Sequence, residues 1–205
     1  LAPAGLTFAE LREVGWLPAA KVYRRHEEAG FATPSGKVEL SSGRLSEWGF
    51  DGLPACREPA RAAAGEPVEA AADEEFPLLL TSWKPQEYYH SSGRHIPLLR
   101  AAHPRPLAVL HPDTAAAAGI GEGDPIVIAT RHGQMTQTAT LSGAVDPRVV
   151  IAEPGWWFPE QGPERLYGWL EANLNVLTGS ERPYCREMGA TTLRGIGCRV
   201  VRADG

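Results

Sequence analysis

The 205-residue chain is poor in cysteine, in positive charge and in long apolar runs, and each shortage excludes something. Its three cysteines, Cys56, Cys185 and Cys198, form no C-x-x-C pair and no zinc-type spacing. Neither a structural zinc site nor an iron–sulfur cluster can be assembled from them, and three reduced, packed thiols are expected. With 20 Lys and Arg against 25 Asp and Glu, the formal net charge is -5. That removes the electrostatic drive for non-specific nucleic-acid or anionic-membrane binding. The apolar runs are too short for membrane insertion as a helix. No G-x-S-x-G elbow is present and no paired carboxylates stand out, so a hydrolase reading fails. No signal-peptide pattern opens the chain, which starts at Leu1, and a piece of a longer protein is expected. Nothing in it assigns a compartment.

Glycine and proline, in contrast, are abundant, at 22 and 18 residues. They favour many short elements joined by turns, and an apolar content of 43% provides a core. Residues 6–15 carry a helix-start signature, with Thr7 as N-cap, Glu10 three residues on and Gly15 as the stop. "FATPSGKVEL" (31–40) reads as strand, turn and strand. Its Gly36-Lys37 is not a P-loop, because five residues separate it from Gly30 and Val38 follows the lysine. These pieces define an α+β appendage over 1–50. An Ala-, Pro- and Glu-rich linker over 51–75 follows, and a compact domain is expected over 76–205.

In that domain, strands are predicted over 76–82, 107–110, 125–130, 134–141, 148–153 and 197–202. Pro112 opens a short helix that Gly119 closes, with Ile120 packing back. "RHGQ" (131–134) is a hairpin turn, after which Met135, Gln137 and Ala139 share one face. A Pro-led helix over 163–171 is expected to bury Leu166, Trp169 and Leu170. "GIGEGD" (119–124) lacks the Rossmann spacing and precedes its strand, so it reads as a turn. Six short strands with two small helices make a mainly β fold, a compact barrel rather than an alternating βαβ sheet.

Two stretches hold the candidate chemistry. In "TSWKPQEYYHSSGRHIP" (81–97), Lys84, His90 and Arg94 can meet anionic oxygens, Ser82, Ser91 and Ser92 supply hydroxyls, and Trp83 and Tyr89 offer flat faces. In "EANLNVLTGSERPYC" (171–185), Asn173 or Asn175 could pair its amide with a purine- or pterin-like edge.

"TPSGKVEL", the strand and loop ending "YYHSS", "HPDTAAAAGIGEGDPIVIATRHGQ", "EPGWWFP" and "ANLNVLT" occur in that order. Together they resemble the C-terminal part of the molybdopterin-guanine-dinucleotide oxidoreductases, the dimethyl-sulfoxide-reductase superfamily. The resemblance implies a six-stranded double-psi β-barrel that grips molybdopterin guanine dinucleotide carrying molybdenum or tungsten. It implies that Thr81 to Ser91 line the pterin and phosphate region, with Thr81, Ser82, Trp83, Lys84, Tyr89, His90 and Ser91 as contacts. Asn175, which matches the Asn of the family's N-x-L-T, is implied at a pterin edge, and Arg194 is the nearest match to a C-terminal basic residue. The family's first segment often reads T-G-R, where this chain has Thr81-Ser82-Trp83.

The metal ligand, any iron–sulfur cluster and the substrate funnel would lie upstream, in the rest of the parent enzyme or a complementary subunit. The chain alone is therefore not expected to turn over. A few relatives carry out non-redox chemistry such as acetylene hydration, and "YYHSSGRHIP" and "LRGIGCRV" lean towards that branch or towards uncharacterised dehydrogenases. Two rivals remain: a non-catalytic binding module using Trp156-Trp157-Phe158 as a platform, and a self-processing decarboxylase cleaved at Gly179-Ser180.

Overall fold

The computed structural model describes residues 4–17, 21–53, 72–179, 190–191 and 193–203. By contact the chain divides into two compact units, Leu1–Pro54 and Ala55–Gly205. Most of the linker predicted over 51–75 lies outside the described residues, as do Cys56, Cys185 and Ser180 of the Gly179-Ser180 pair.

In the first unit, helix α1 (Phe8–Val14) starts as its sequence dictates. Glu10 N–H donates to Thr7 Oγ1 (3.3 Å), Thr7 N–H donates to Glu10 Oε2 (2.7 Å), and Gly15 N–H closes on Leu11 O (2.7 Å). Ser42 caps the short α2 (Gly43–Glu47) with its side chain alone, accepting from Leu45 N–H (3.3 Å). The strands expected over 31–40 do not form. The turn does, with Gly36 N–H bonded to Thr33 O (3.0 Å), but Thr33 Oγ1 takes Lys37 O (2.7 Å), where a ladder would need a backbone donor. An isolated hairpin must bury a face to persist, and here Phe31, Val38 and Leu40 remain exposed.

The second unit is a closed barrel of six strands: β1 (Leu78–Ser82), β2 (Leu107–Leu110), β3 (Pro125–Ala129), β4 (Gln134–Leu141), β5 (Val149–Ala152) and β6 (Ile196–Arg202). Their cyclic order, β1-β5-β2-β4-β3-β6, interleaves two parallel pairs, β1–β5 and β2–β4, with antiparallel neighbours. This is the double-psi order. Closure leaves no free edge. Period-two alternation fills the interior: Leu80, Ala108, Leu110, Ile126, Ile128, Met135, Ala139, Val150 and Cys198 are buried in one cluster. Each large aliphatic side chain so placed contributes about 2 kcal/mol.

Helix α4 (Pro112–Ala117) ends as predicted, with Ile120 N–H reaching back to Ala115 O (2.8 Å) and Ile120 buried. The helix expected over 163–171 is instead broken. A 3-10 segment over Pro163–Gly168 has Leu166 (φ 50°) and Tyr167 (φ 53°) in the left-handed region, and only Trp169–Ala172 (α5) is α-helical. That break rotates the faces, so Leu166 and Leu170 are exposed while Ala172 and Leu174 pack inward. Helix α3 (Pro97–Ala102) lies between β1 and β2.

Strand register determines which loops meet. β1 and β5 run parallel, with Ser82 opposite Ala152, so the loops after both leave the same mouth of the barrel. β6 runs antiparallel to β1, with Ile196 opposite Leu80, which brings Arg194 to that mouth; Gly195 N–H bonds to Leu80 O (2.8 Å). β3 pairs with β4 and β6, with Ala129 opposite Gln134 and Arg199, so the 130–133 turn is there too.

Candidate functional site

The residues singled out from the sequence collect at this mouth. Thr81 and Ser82 end β1, half-buried, and Trp83 follows with its indole N–H buried and unpartnered among the described residues. Lys84, Tyr89, His90, Ser91 and Arg194 are exposed. Asn175 sits on a one-turn 3-10 segment, Leu174–Leu177, which Asn173 caps by accepting from Asn175 N–H (3.0 Å). This segment is fastened to the 130–133 turn, because Thr130 Oγ1 donates to Leu177 O (2.9 Å). Gly133 makes the approach possible: a Cβ there would stand 2.5 Å from Val176 O. Among the described residues, the Lys84 ammonium, the Ser91 and Ser92 hydroxyls and the Asn175 carboxamide have no side-chain partner.

Beneath the rim lies a buried polar assembly that sequence reasoning missed. Arg94, read from the sequence as able to meet anionic oxygens, is 0% exposed and turned inward. Its Nη1 donates to His90 O (2.6 Å), its Nη2 donates to Pro154 O (3.3 Å), and Nη2 stands 3.5 Å from Glu153 Oε1. The guanidinium stacks over the Tyr88 and Trp156 rings at 4.5 and 4.7 Å. Glu153, also fully buried, accepts from His103 Nε2 (2.7 Å) and Leu107 N–H (3.2 Å). Gln137 exchanges two bonds with its backbone: Nε2 donates to Glu153 O (2.8 Å), and Glu153 N–H donates to Oε1 (3.1 Å). Burial pushes the Glu153 carboxyl up, opposed first by the His103 bond. Burial likewise lowers Arg94.

Gln137 had a visible signal, a polar residue on the inward face of an alternating strand. The Arg94–Glu153 pair, 59 residues apart in sequence, had none. Trp156 is 0% exposed and Trp157 and Phe158 are half-buried, so the triplet packs as core more than it offers a platform. Among the described residues, no cluster of His, Cys, Asp or Glu could hold a metal ion, and no helix is long and apolar enough to cross a membrane.

A closed barrel with irregular loops gathered at one mouth, bearing hydroxyl, amide and cationic donors, has the build of a ligand-binding domain whose contacts come from its loops. The particular family follows from comparison. The chain belongs to the family described as "Molydopterin dinucleotide binding domain", whose profile matches residues 78–191. It is 33% identical to acetylene hydratase of Syntrophotalea acetylenica over 95% of this chain and 27% of that protein. It is 32% identical to dimethyl sulfoxide/trimethylamine N-oxide reductase of Cereibacter sphaeroides over 71% of this chain and 18% of that protein. The solved acetylene hydratase from Pelobacter acetylenicus superposes with a TM-score of 0.81 at 30% identity, covering 98% of this chain and 28% of that one. The chain thus spans between 18% and 28% of these relatives' length. It is a molybdopterin dinucleotide-binding domain.

The residues present suit that cofactor. A pterin dinucleotide offers ring edges, ribose hydroxyls and a pyrophosphate, and the mouth offers unpaired hydroxyls, a carboxamide, an ammonium and the unpartnered Trp83 indole N–H.

Proposed function

We propose that this chain is the cofactor-holding part of a larger molybdenum or tungsten enzyme, and that the mouth described above receives the dinucleotide. When bound, the cofactor carries the metal that supplies electron- or oxygen-transfer chemistry. The chain's own work is binding and orientation. Lys84, His90 and Arg194 neutralise phosphate oxygens, Thr81, Ser82 and Ser91 donate hydroxyls, Trp83 and Tyr89 flank a ring, and the Asn175 carboxamide pairs with a pterin edge. A large polyanion on a chain of net charge -5 needs many distributed hydrogen bonds, which irregular loops on a rigid barrel can supply. The observation that carries this reading is the meeting of Thr81–Ser91, Asn175 and Arg194 at one barrel mouth, although up to 113 residues separate them in sequence (194 − 81).

The similarity to acetylene hydratase runs through the first unit as well as the barrel, covering 95% of the chain against 71% for the reductase. This favours a parent enzyme laid out like acetylene hydratase, with the iron–sulfur cluster, metal ligand and substrate funnel in its remaining part. The deciding measurement is the mass, metal and pterin content of the native protein purified from its source. A much larger chain or tight complex carrying molybdenum or tungsten with a pterin is expected. A free protein of about the 22.1 kDa of this chain, with neither, would overturn the reading in favour of a non-catalytic binding module.

A further inference from the structure

The loop between β1 and α3, residues 83–96, has almost no regular structure, yet its backbone is held from beneath at successive points. Arg94 Nη1 takes His90 O at 2.6 Å, and Trp157 Nε1 donates to Ser91 O at 2.6 Å. Gly155 (φ 68°) presses on the same peptide: a Cβ there would stand 3.3 Å from His90 O and 3.2 Å from Ser91 N. His90 itself has φ 53°, a left-handed conformation uncommon outside glycine. Its carbonyl is thus turned down onto a buried cation while the His90 and Ser91 side chains face solvent.

The cation is in turn anchored. Glu153 faces Arg94 with one carboxylate oxygen and takes His103 and Leu107 N–H with the other. Tyr88 OH fixes His103 by donating to its carbonyl (2.7 Å). A buried ion pair of this kind contributes little net stability compared with apolar residues of similar volume. Its geometry, however, is specific: one planar fork joins the His90 carbonyl to the segment following β5.

We propose that Arg94, anchored by Glu153 and His103, is a positioning residue that sets the His90–Ser91 backbone for the pterin dinucleotide. This rests on the function proposed above and identifies what holds its binding loop in shape.

The test uses the full-length parent enzyme with its cofactor, comparing wild type, Arg94→Lys and the charge-neutral double variant Arg94→Met/Glu153→Gln. The readouts are the unfolding midpoint, pterin released per mole of protein, and hydrogen exchange at the Ser92 and Ile96 amides, which bond within the loop to Tyr89 O and Gly93 O. For the double variant, the midpoint is expected to hold, exchange at the two amides to rise by about tenfold or more as one charge-assisted bond is lost, and pterin retention to fall. Arg94→Lys keeps the charge but cannot reach both carbonyls, so it should raise exchange too, which keeps the proposal testable if the double variant does not fold. Wild-type exchange in Arg94→Lys, or raised exchange with undiminished pterin, would overturn the proposal. A wild-type enzyme that holds no pterin would sink the functional reading itself, and is recognised before any variant is compared.

Discussion

Gln137 occupies an inward position on β4 where an aliphatic residue would ordinarily sit, and its carboxamide completes the backbone N–H and C=O of Glu153. Gln137→Leu keeps the volume and removes the donor to the Glu153 and Ala172 carbonyls, while Glu153 N–H keeps its second acceptor, Leu107 O (3.2 Å). A buried carbonyl left without its donor costs about 1–3 kcal/mol, so a loss of about that size in denaturant unfolding is expected, against less than about 1 kcal/mol for an exposed substitution such as Gln86→Leu. Cys198 presents the opposite case, an apolar residue in effect. Burial pushes its thiol up to about 12, so at pH 8 on the order of one molecule in ten thousand carries a thiolate there. Alkylation with iodoacetamide at pH 8, followed by peptide mapping, should leave Cys198 unmodified in the folded protein and modify it after denaturation. Rapid native labelling would contradict its place in the core.

At the scale of elements, the 3-10 segment Leu174–Leu177 shows how a site residue depends on a distant turn. Asn175 stands where it does because Thr130 and Gly133 hold the segment against the β3–β4 turn. Gly133→Ala drives a methyl into the Val176 carbonyl, a backbone group that cannot swing aside like a side-chain tip. A loss of about 1–3 kcal/mol is expected, accompanied by reduced pterin retention in the parent enzyme. A drop in stability with pterin content unchanged would detach Asn175 from the cofactor. The elements also show where local signals suffice. Helix α1 and the Pro112–Ile120 turn form as their caps dictate, since capping bonds join residues three to five apart. The 31–40 strands and the 163–171 helix failed because their outcome depended on burial and on Leu166 and Tyr167 adopting left-handed backbone, neither of which is carried by local pattern.

Taken whole, the barrel is closed while its mouth, among the described residues, carries donors without side-chain partners, so ligand binding should stabilise the second unit in particular. A ligand at a thousandfold excess over its Kd adds about 4 kcal/mol to the folded state. Scanning calorimetry of the parent enzyme with and without its cofactor is expected to move the transition that contains the barrel downward on cofactor removal. An unmoved transition would mean that the dinucleotide rests mainly on other parts of the enzyme.

By itself the sequence determined the six barrel strands, the caps of α1 and of the Pro112–Ile120 turn, and the family, because period-two alternation, capping spacings and ordered motif blocks are properties of neighbours along the chain. Only the tertiary structure decided that Arg94 faces inward instead of towards a phosphate, that Glu153, His103 and Gln137 form one buried assembly with it, and that Asn175 and Arg194 reach the same mouth as His90. Those facts follow from barrel closure, which joins residues tens of positions apart. A buried charge finds its partner only after that closure has taken water away.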